Sequence, residues 1–136
     1  MRFMGVLSAA LVLLTGDVVA QTRQDNWMTR AMGQYGGRMF GANGPMPTSI
    51  ELDFTTGGAI EGEYGFSERG ERHLGRLDTC TVTRPLAIAC RWHDKNGDGA
   101  LEMIFARDLG SFVGRWNRDA EPDKWRSWFG RKLPSI

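Results

Sequence analysis

Two alternating runs joined by a turn occupy residues 101–116, with the sequence LEMIFARDLGSFVGRW. In each run, large apolar residues fall at every second position: Leu101, Met103 and Phe105, then Phe112 and Trp116. Because successive side chains of a β-strand point to opposite faces, this period predicts two strands, each with one buried face and one wet face. The short Asp108–Gly110 turn between them predicts that the strands are antiparallel neighbours.

The same period of two recurs from residue 34 onward, and short turn segments separate the runs. About eight strands joined in this way form an antiparallel meander, and closure into a barrel removes its exposed edges. We therefore predict an all-β domain, a small barrel of about eight strands preceded by a short N-terminal helical turn. The predicted inward-facing set is Leu52, Phe54, Ile60, Tyr64, Trp92, Leu101, Met103, Phe105, Phe112 and Trp116.

The first twenty residues have the features of an export signal. Arg2 is followed by an apolar stretch over residues 4–14, and Val18-Val19-Ala20 offers small side chains at a cleavage site. A membrane-spanning helix is the alternative, but it would need about 20 apolar residues. The pattern predicts a signal peptide at residues 1–20 and a secreted or periplasmic protein.

The remaining chain of about 116 residues is enough for one domain with one core. We expect a lead-in at residues 21–33, with a helical turn from Trp27, and a single β-barrel domain at residues 34–136. The net charge is +1, with no block of Lys or Arg, which argues against nucleic acid as a partner. A second long apolar run is missing, so no transmembrane segment is expected in the mature chain.

Cys80 and Cys90 are the two cysteines of the chain. An even number of cysteines in an exported protein favours a disulfide. Folding residues 77–83 and 86–92 back on each other about Pro85 places the two cysteines opposite each other. A reactive or metal-binding pair is the alternative, but the Cys-x-x-Cys spacing typical of such pairs is missing.

The strands share an apolar-x-Gly-x-aromatic pattern, seen in Ile60-x-Gly62-x-Tyr64 and Phe112-x-Gly114-x-Trp116. The hairpin over residues 58–64 resembles the second-to-third-strand region of avidins, and residues 112–116 are similar to a later avidin strand. Gly33-Gln34-Tyr35 occupies the place of the lipocalin Gly-x-Trp. The chain thus resembles calycin-type secreted barrels, which implies a cup-shaped fold.

Glycine on an inward face leaves room for a ring from a neighbouring strand, so the pattern can be architectural. Alternatively, the rings line a pocket whose walls would be Tyr64, Trp92, Phe112 and Trp116. The favoured function is a non-enzymatic barrel that binds a small apolar ligand or a protein partner. An exported isomerase or cyclase that uses the barrel interior is the alternative, and such a cup would hold convergent ionisable groups.

Residues 94–99, DKNGDG, match the first half of an EF-hand calcium loop. Asp94, Asn96 and Asp98 would supply oxygen ligands, with Glu102 at the ninth position. Phe105 stands where that motif requires a bidentate Glu, and Asn-Gly and Asp-Gly also favour hairpin turns. Calcium and a plain polar turn both remain open, and no other cofactor is expected.

Two further groups of residues are candidates for chemistry. The histidines, His73 and His93, are expected at outward strand positions, and no cluster with metal-ligand spacing surrounds them. The C-terminal hairpin mixes basic residues with Trp116, Trp125 and Trp128, a composition found in binding surfaces. Interspersed acidic residues also allow a solvated face that neutralises itself.

The signal-peptide prediction is tested by the intact mass of the exported protein. Cleavage after Ala20 should leave a chain that begins at Gln21, because the small residues at 18 and 20 suit the peptidase. A membrane-bound product that retains Met1 would contradict the prediction.

Overall fold

The computed structural model describes residues 27–134, and the predicted signal peptide lies outside this range. A short helix at residues 27–31 precedes eight strands that form a closed antiparallel barrel. The strands are β1 (Gly33–Gly41), β2 (Gly44–Phe54), β3 (Ile60–Glu68), β4 (Glu71–Arg84), β5 (Ala87–Asp94), β6 (Gly97–Phe105), β7 (Ser111–Arg118) and β8 (Glu121–Lys132). The predicted all-β meander, its closure and its N-terminal helical turn are confirmed.

The barrel closes between β1 and β8, where the two strands approach each other closely. Gly37 pairs with Gly130 at the centre of this seam. A Cβ added to Gly37 would lie 1.9 Å from the Phe129 carbonyl oxygen, so no other residue fits at this position without moving the backbone. Closure leaves neither strand with an unpaired edge along the seam.

The predicted inward set forms the core. Nine of its ten members are buried, and the tenth, Phe54, is half-buried and packs against the others. The strand register follows from this pattern, because a slip by one residue would bury Glu61 and Arg115 in place of Ile60 and Trp116. Unpaired charges in an apolar interior carry a large desolvation cost.

One end of the barrel is filled by aromatic rings and the short helix; we call it the filled end. The Trp27 ring lies 6.1 Å from the Phe105 ring, and the Tyr35 ring lies 5.6 Å from the Phe112 ring. The Tyr35 hydroxyl donates a hydrogen bond of 2.6 Å to the Ala31 carbonyl, and burial raises the Tyr35 pKa to about 12. These contacts fasten the helix across the end of the barrel.

Two local expectations are wrong. The glycines and prolines of residues 41–47 predict a loop over this whole segment, but the loop is shorter because β2 already begins at Gly44. Pro45 and Pro47 have no N–H group to donate. They fit β2 because its pairing with β3 begins only at Thr48, so β3 requires no hydrogen bond from them. His73 lies on the inward side of β4, where its ring packs 5.2 Å from the Phe66 ring.

The predicted disulfide between Cys80 and Cys90 is present and crosslinks β4 to β5. The register of the two strands shifts between Asp78 and Thr81, beside Cys80, and Thr79 has a positive φ of 50°. The crosslink therefore holds an irregular part of the sheet, where the ladder of backbone hydrogen bonds is interrupted.

Replacing Cys80 and Cys90 together with Ala should lower the free energy of unfolding by about 2–4 kcal/mol. The crosslink joins residues separated by 10 positions and restricts the unfolded chain. Urea unfolding followed by Trp fluorescence measures the loss, and wild-type protein unfolded in reductant is the control. Rapid alkylation of two thiols in the folded, oxidised protein would contradict the pairing.

A cluster of charged groups joins β4, β5 and β6 on the outer surface. The His93 Nε2 atom lies 2.8 Å from Asp78 Oδ1, and its Nδ1 atom lies 2.5 Å from Asp98 Oδ1. These hydrogen bonds raise the His93 pKa, and the bond from His93 lowers the Asp78 pKa. The ring therefore bridges two carboxylates in its protonated form.

This bridge predicts a pH dependence of stability. The His93 contribution should be complete below the ordinary histidine pKa of 6.5 and lost as the pH rises through its raised pKa. The Asp78 contribution should be present above 3.8 and lost as the pH falls through its lowered pKa. Between mildly acidic and alkaline pH, stability should fall by up to about 1 kcal/mol, the range of exposed ion pairs.

Urea unfolding across this pH range provides the measurement, and a His93→Asn variant provides the control. The variant should lack the decline toward alkaline pH. Parallel profiles for wild type and variant would show that the bridge does not contribute to stability.

Candidate ligand-binding site

The end of the barrel opposite the helix holds a cavity of about 690 Å³; we call it the open end. Four hairpin turns surround it, those between β1 and β2, β3 and β4, β5 and β6, and β7 and β8. Small-molecule sites in proteins occupy about 300–1,000 Å³. The cavity is therefore large enough for one small ligand. Its apolar walls are Met39, Met46, Tyr64, Phe66, Trp92, Trp116 and Trp128.

Glycines on adjacent strands make room for two of these rings. A Cβ on Gly75 would lie 2.2 Å from Tyr64 Cζ, and a Cβ on Gly99 would lie 2.5 Å from Trp92 Nε1. Gly62 and Gly114 act differently. A Cβ on either residue would lie 2.7 Å from a carbonyl oxygen of the adjacent strand. Inward glycines therefore do make room for rings. The glycines that do so here are Gly75 and Gly99, whereas the two motifs that suggested the idea contain Gly62 and Gly114.

The rings pack edge to face and so hold one another in place. The Trp92 and Trp116 centroids are 5.7 Å apart at an interplanar angle of 82°. The Tyr64 ring meets the Trp128 ring at 5.3 Å and 76°. Such arrangements stabilise aromatic pairs beyond their buried area, by about 0.5–1.5 kcal/mol. The walls are therefore preformed rather than assembled by a ligand.

Hydrogen bonds fix two of the three indoles that line the cavity. Trp92 Nε1–H donates to the Asn117 carbonyl at 2.8 Å, and Trp128 Nε1–H donates to Thr48 Oγ1 at 3.1 Å. The Trp116 Nε1–H group is buried and has no acceptor within residues 27–134. A buried donor without a partner has a free-energy cost of about 1–3 kcal/mol, so Trp116 is the least satisfied of the three.

Tyr64 and Asp94 form a polar pair in the cavity wall. The Tyr64 hydroxyl donates to Asp94 Oδ2 at 2.6 Å, across 30 residues of sequence. Burial and the neighbouring Asp94 carboxylate raise the Tyr64 pKa well above its ordinary value. The phenol therefore stays protonated at neutral pH and acts as a donor. Asp94 Oδ1 accepts a second hydrogen bond, from the Asn96 backbone N–H at 2.7 Å.

Three of the four predicted ligand-binding residues, Tyr64, Trp92 and Trp116, line the cavity. Phe112 is not among the lining residues, because its position on β7 places it at the filled end against Tyr35. The shared motif suggested that both of its aromatic residues, Phe112 and Trp116, line the pocket. They lie four residues apart along a strand, which is about 13 Å, and so reach opposite ends of the barrel.

Sequence reasoning missed four wall residues: Met39, Met46, Phe66 and Trp128. Phe66 occupies the next inward position after Tyr64, so extending the alternation by one step would have found it. Trp128 is followed two positions later by Gly130, a partial echo of the motif seen in the other strands. Met39 lies four residues after Tyr35, so the period of two places both side chains on the same inward face of β1.

The structure does not bring the four residues of the predicted calcium loop into a common coordination sphere. Asp98 contacts His93, and Glu102 accepts a hydrogen bond from Arg115 at 2.7 Å on the outer wall. Asp94 is engaged by Tyr64, as described above. Over residues 27–134, no three His, Cys, Asp or Glu side chains are grouped so as to hold a metal ion.

The basic C-terminal hairpin contributes to both sides of the barrel wall. Trp116 and Trp128 line the cavity, whereas Trp125 lies on the outer surface with the Arg115 guanidinium 4.0 Å above its ring. Lys124 pairs with Glu121 at 3.1 Å. The hairpin therefore neutralises part of its own charge.

Within the described range, the structure contains no helix with the length and hydropathy needed to span a bilayer. No protein-family model matches the chain, and no curated protein sequence matches it. Among solved structures, the chain is similar to a de novo designed fluorescence-activating β-barrel. The TM-score is 0.58 at 17% sequence identity, over 75% of this chain and 93% of that chain. This likeness supports the barrel fold.

Proposed function

We propose that the protein is an exported barrel that binds a small, predominantly apolar ligand in the open-end cavity. The observation that carries the proposal is the difference between the two ends of the barrel: the helix and its ring contacts close one end, and the other holds a cavity of about 690 Å³ lined by three tryptophans and by hairpin-turn residues. An eight-stranded barrel either fills its interior with side chains or holds one small ligand. This chain combines the two, one at each end.

The wall chemistry supports an apolar or aromatic ligand. Trp92, Trp116 and Trp128 line the cavity with rigid rings whose exposed fractions are only 3%, 5% and 1%. Covering the apolar surface that remains open with a ligand releases water from both. Edge-to-face packing already fixes the rings, so a ligand would not have to order them. Preformed apolar walls with few polar groups are typical of binding sites for small molecules.

The polar pair in the wall favours binding over acid–base catalysis. A general acid or base works best with a pKa near the working pH, whereas burial and Asp94 raise the Tyr64 pKa far from neutrality. The Tyr64 proton is also committed to Asp94 Oδ2 at 2.6 Å. The pair therefore serves to hold the Tyr64 ring in the wall and to tie β3 to β5.

Export is supported by the predicted signal peptide and by the disulfide. Disulfides persist in oxidising compartments and are rare in the cytosol. The Cys80–Cys90 bond lies beside an irregular part of the β4–β5 ladder, where a crosslink compensates for missing hydrogen bonds. A binding protein in the periplasm or outside the cell fits both features.

The binding proposal predicts that Trp116→Ala weakens an apolar probe. Uncharged N-phenylnaphthylamine should bind the wild type with enhanced probe fluorescence and quenched Trp emission. Removing the Trp116 ring should weaken its binding about tenfold, since stacking on one ring is worth about 0.5–1.5 kcal/mol and buried area adds to it. Fluorescence titration gives the dissociation constants.

Trp125→Ala is the matched control, because Trp125 lies outside the cavity beneath Arg115. It removes the same side chain and should leave probe affinity unchanged. Thermal melts of both variants show whether the fold is retained. Equal weakening by both substitutions, or no binding to the wild type, would contradict the proposed function.

A further inference from the structure

The charged groups at the open end indicate the charge of the ligand, which the apolar walls do not. Four charged side chains line the cavity: Glu68, Arg69, Asp94 and Arg118. The two carboxylates have partners. Asp94 accepts hydrogen bonds from Tyr64 and Asn96, and Glu68 lies 4.0 Å from the Lys95 ammonium.

The two guanidinium groups have no such partners. Within residues 27–134, neither Arg69 nor Arg118 forms a side-chain hydrogen bond or an ion pair. Lys95, in the β5–β6 turn, already faces Glu68. Among the charged groups that line the cavity, those without a hydrogen-bond or ion-pair partner are therefore the two cations, while Asp94, whose donors are neutral, keeps its negative charge.

The acidic neighbours of the two arginines along the chain are engaged elsewhere. Next to Arg118, Asp119 accepts a hydrogen bond from Arg91 at 2.9 Å, and the Glu121 carboxylate lies 3.1 Å from Lys124. The Glu121 pKa is lowered mainly by this contact with Lys124 and to a smaller extent by the charge of Arg118, which forms no ion pair with it. Next to Arg69, the Glu71 carboxylate lies 3.8 Å from the His73 ring. Both arginines thus keep their capacity to bind an anion.

The barrel topology places the two arginines on opposite sides of the mouth. Arg69 lies in the β3–β4 turn and Arg118 at the start of the β7–β8 turn, and these turns are four strands apart in a closed ring of eight. Both side chains line the cavity. Guanidinium groups present several N–H donors and pair well with carboxylate, sulfonate or phosphate oxygens.

We propose that the ligand is an amphipathic organic anion, whose apolar body packs among the tryptophans and whose anionic head lies at the mouth between Arg69 and Arg118. This inference rests on the proposed function and adds the charge of the ligand to it. The partially exposed rim suits the head, because an anion there keeps some hydration and avoids the desolvation cost of the interior. The apolar floor takes the rest of the molecule.

A matched pair of probes tests the inference. N-phenylnaphthylamine is uncharged, and anilinonaphthalene sulfonate has the same ring skeleton with one anionic group. We expect the wild type to bind both probes and to bind the sulfonate about tenfold more tightly at low salt, the value of one charge-assisted contact. Added salt should reduce this advantage, because the rim is exposed.

Substitution of both arginines shows where the advantage arises. In the double variant Arg69→Gln and Arg118→Gln, the sulfonate should bind no more tightly than the uncharged probe, whose own affinity should be unchanged. Arg107→Gln is the control: Arg107 is exposed, has no ion-pair partner in the described range and lies in the β6–β7 turn at the filled end. It should preserve the preference.

The outcomes separate the two proposals. Equal affinities for both probes in the wild type, or a preference that survives the double substitution, would overturn the anionic ligand while leaving apolar binding intact. Failure of the wild type to bind either probe would overturn both. Loss of the preference in Arg107→Gln would point to general surface charge and would also contradict a site at the mouth.

Discussion

Closure of the sheet between β1 and β8 is the constraint on which the rest of the structure depends. The seam requires close contact of two backbones, and Gly37 faces Gly130 at its centre with no room for a side chain. Once the ring is closed, every strand has two neighbours, and each inward side chain points into one enclosed space. The identity of those side chains then decides whether the space is packed or open.

The two ends of the enclosed space differ because the short helix covers one of them. At the filled end, the short helix brings Trp27 against Phe105, and Tyr35 joins them with its hydroxyl bonded to the helix. The open end has rings on its walls, and no element of residues 27–134 lies across its mouth. The wall residues of the open end stay in place because their rings pack against one another and belong to the buried core.

Local patterns in the sequence predicted the architecture well because the strand period is a local property. Residues 101–116 already contain the alternation, the turn and the inward glycine from which the barrel was inferred. The disulfide followed from similar reasoning, since Cys80 and Cys90 flank a single turn. Each of these inferences depends on residues close together in the chain.

The candidate site was only partly predictable because it depends on contacts across the barrel. The bond between Tyr64 and Asp94 joins residues 30 positions apart, so the DKNGDG segment gave no indication that one of its acids serves the cavity wall. Phe112 shares a motif with Trp116, yet its height along β7 places it at the filled end. The unpaired state of Arg69 and Arg118 depends on where the neighbouring acids find partners, which no local pattern encodes.

The most direct test of the account uses the five tryptophans as reporters of position. Their indole N–H resonances, assigned by single Trp→Phe variants, can be followed by heteronuclear NMR during titration with uncharged N-phenylnaphthylamine. Binding in the open-end cavity predicts shifts of the Trp92, Trp116 and Trp128 signals, while the Trp27 signal at the filled end and the Trp125 signal on the outer wall stay in place. Shifts confined to Trp27 or Trp125, or no shifts at all, would contradict the account.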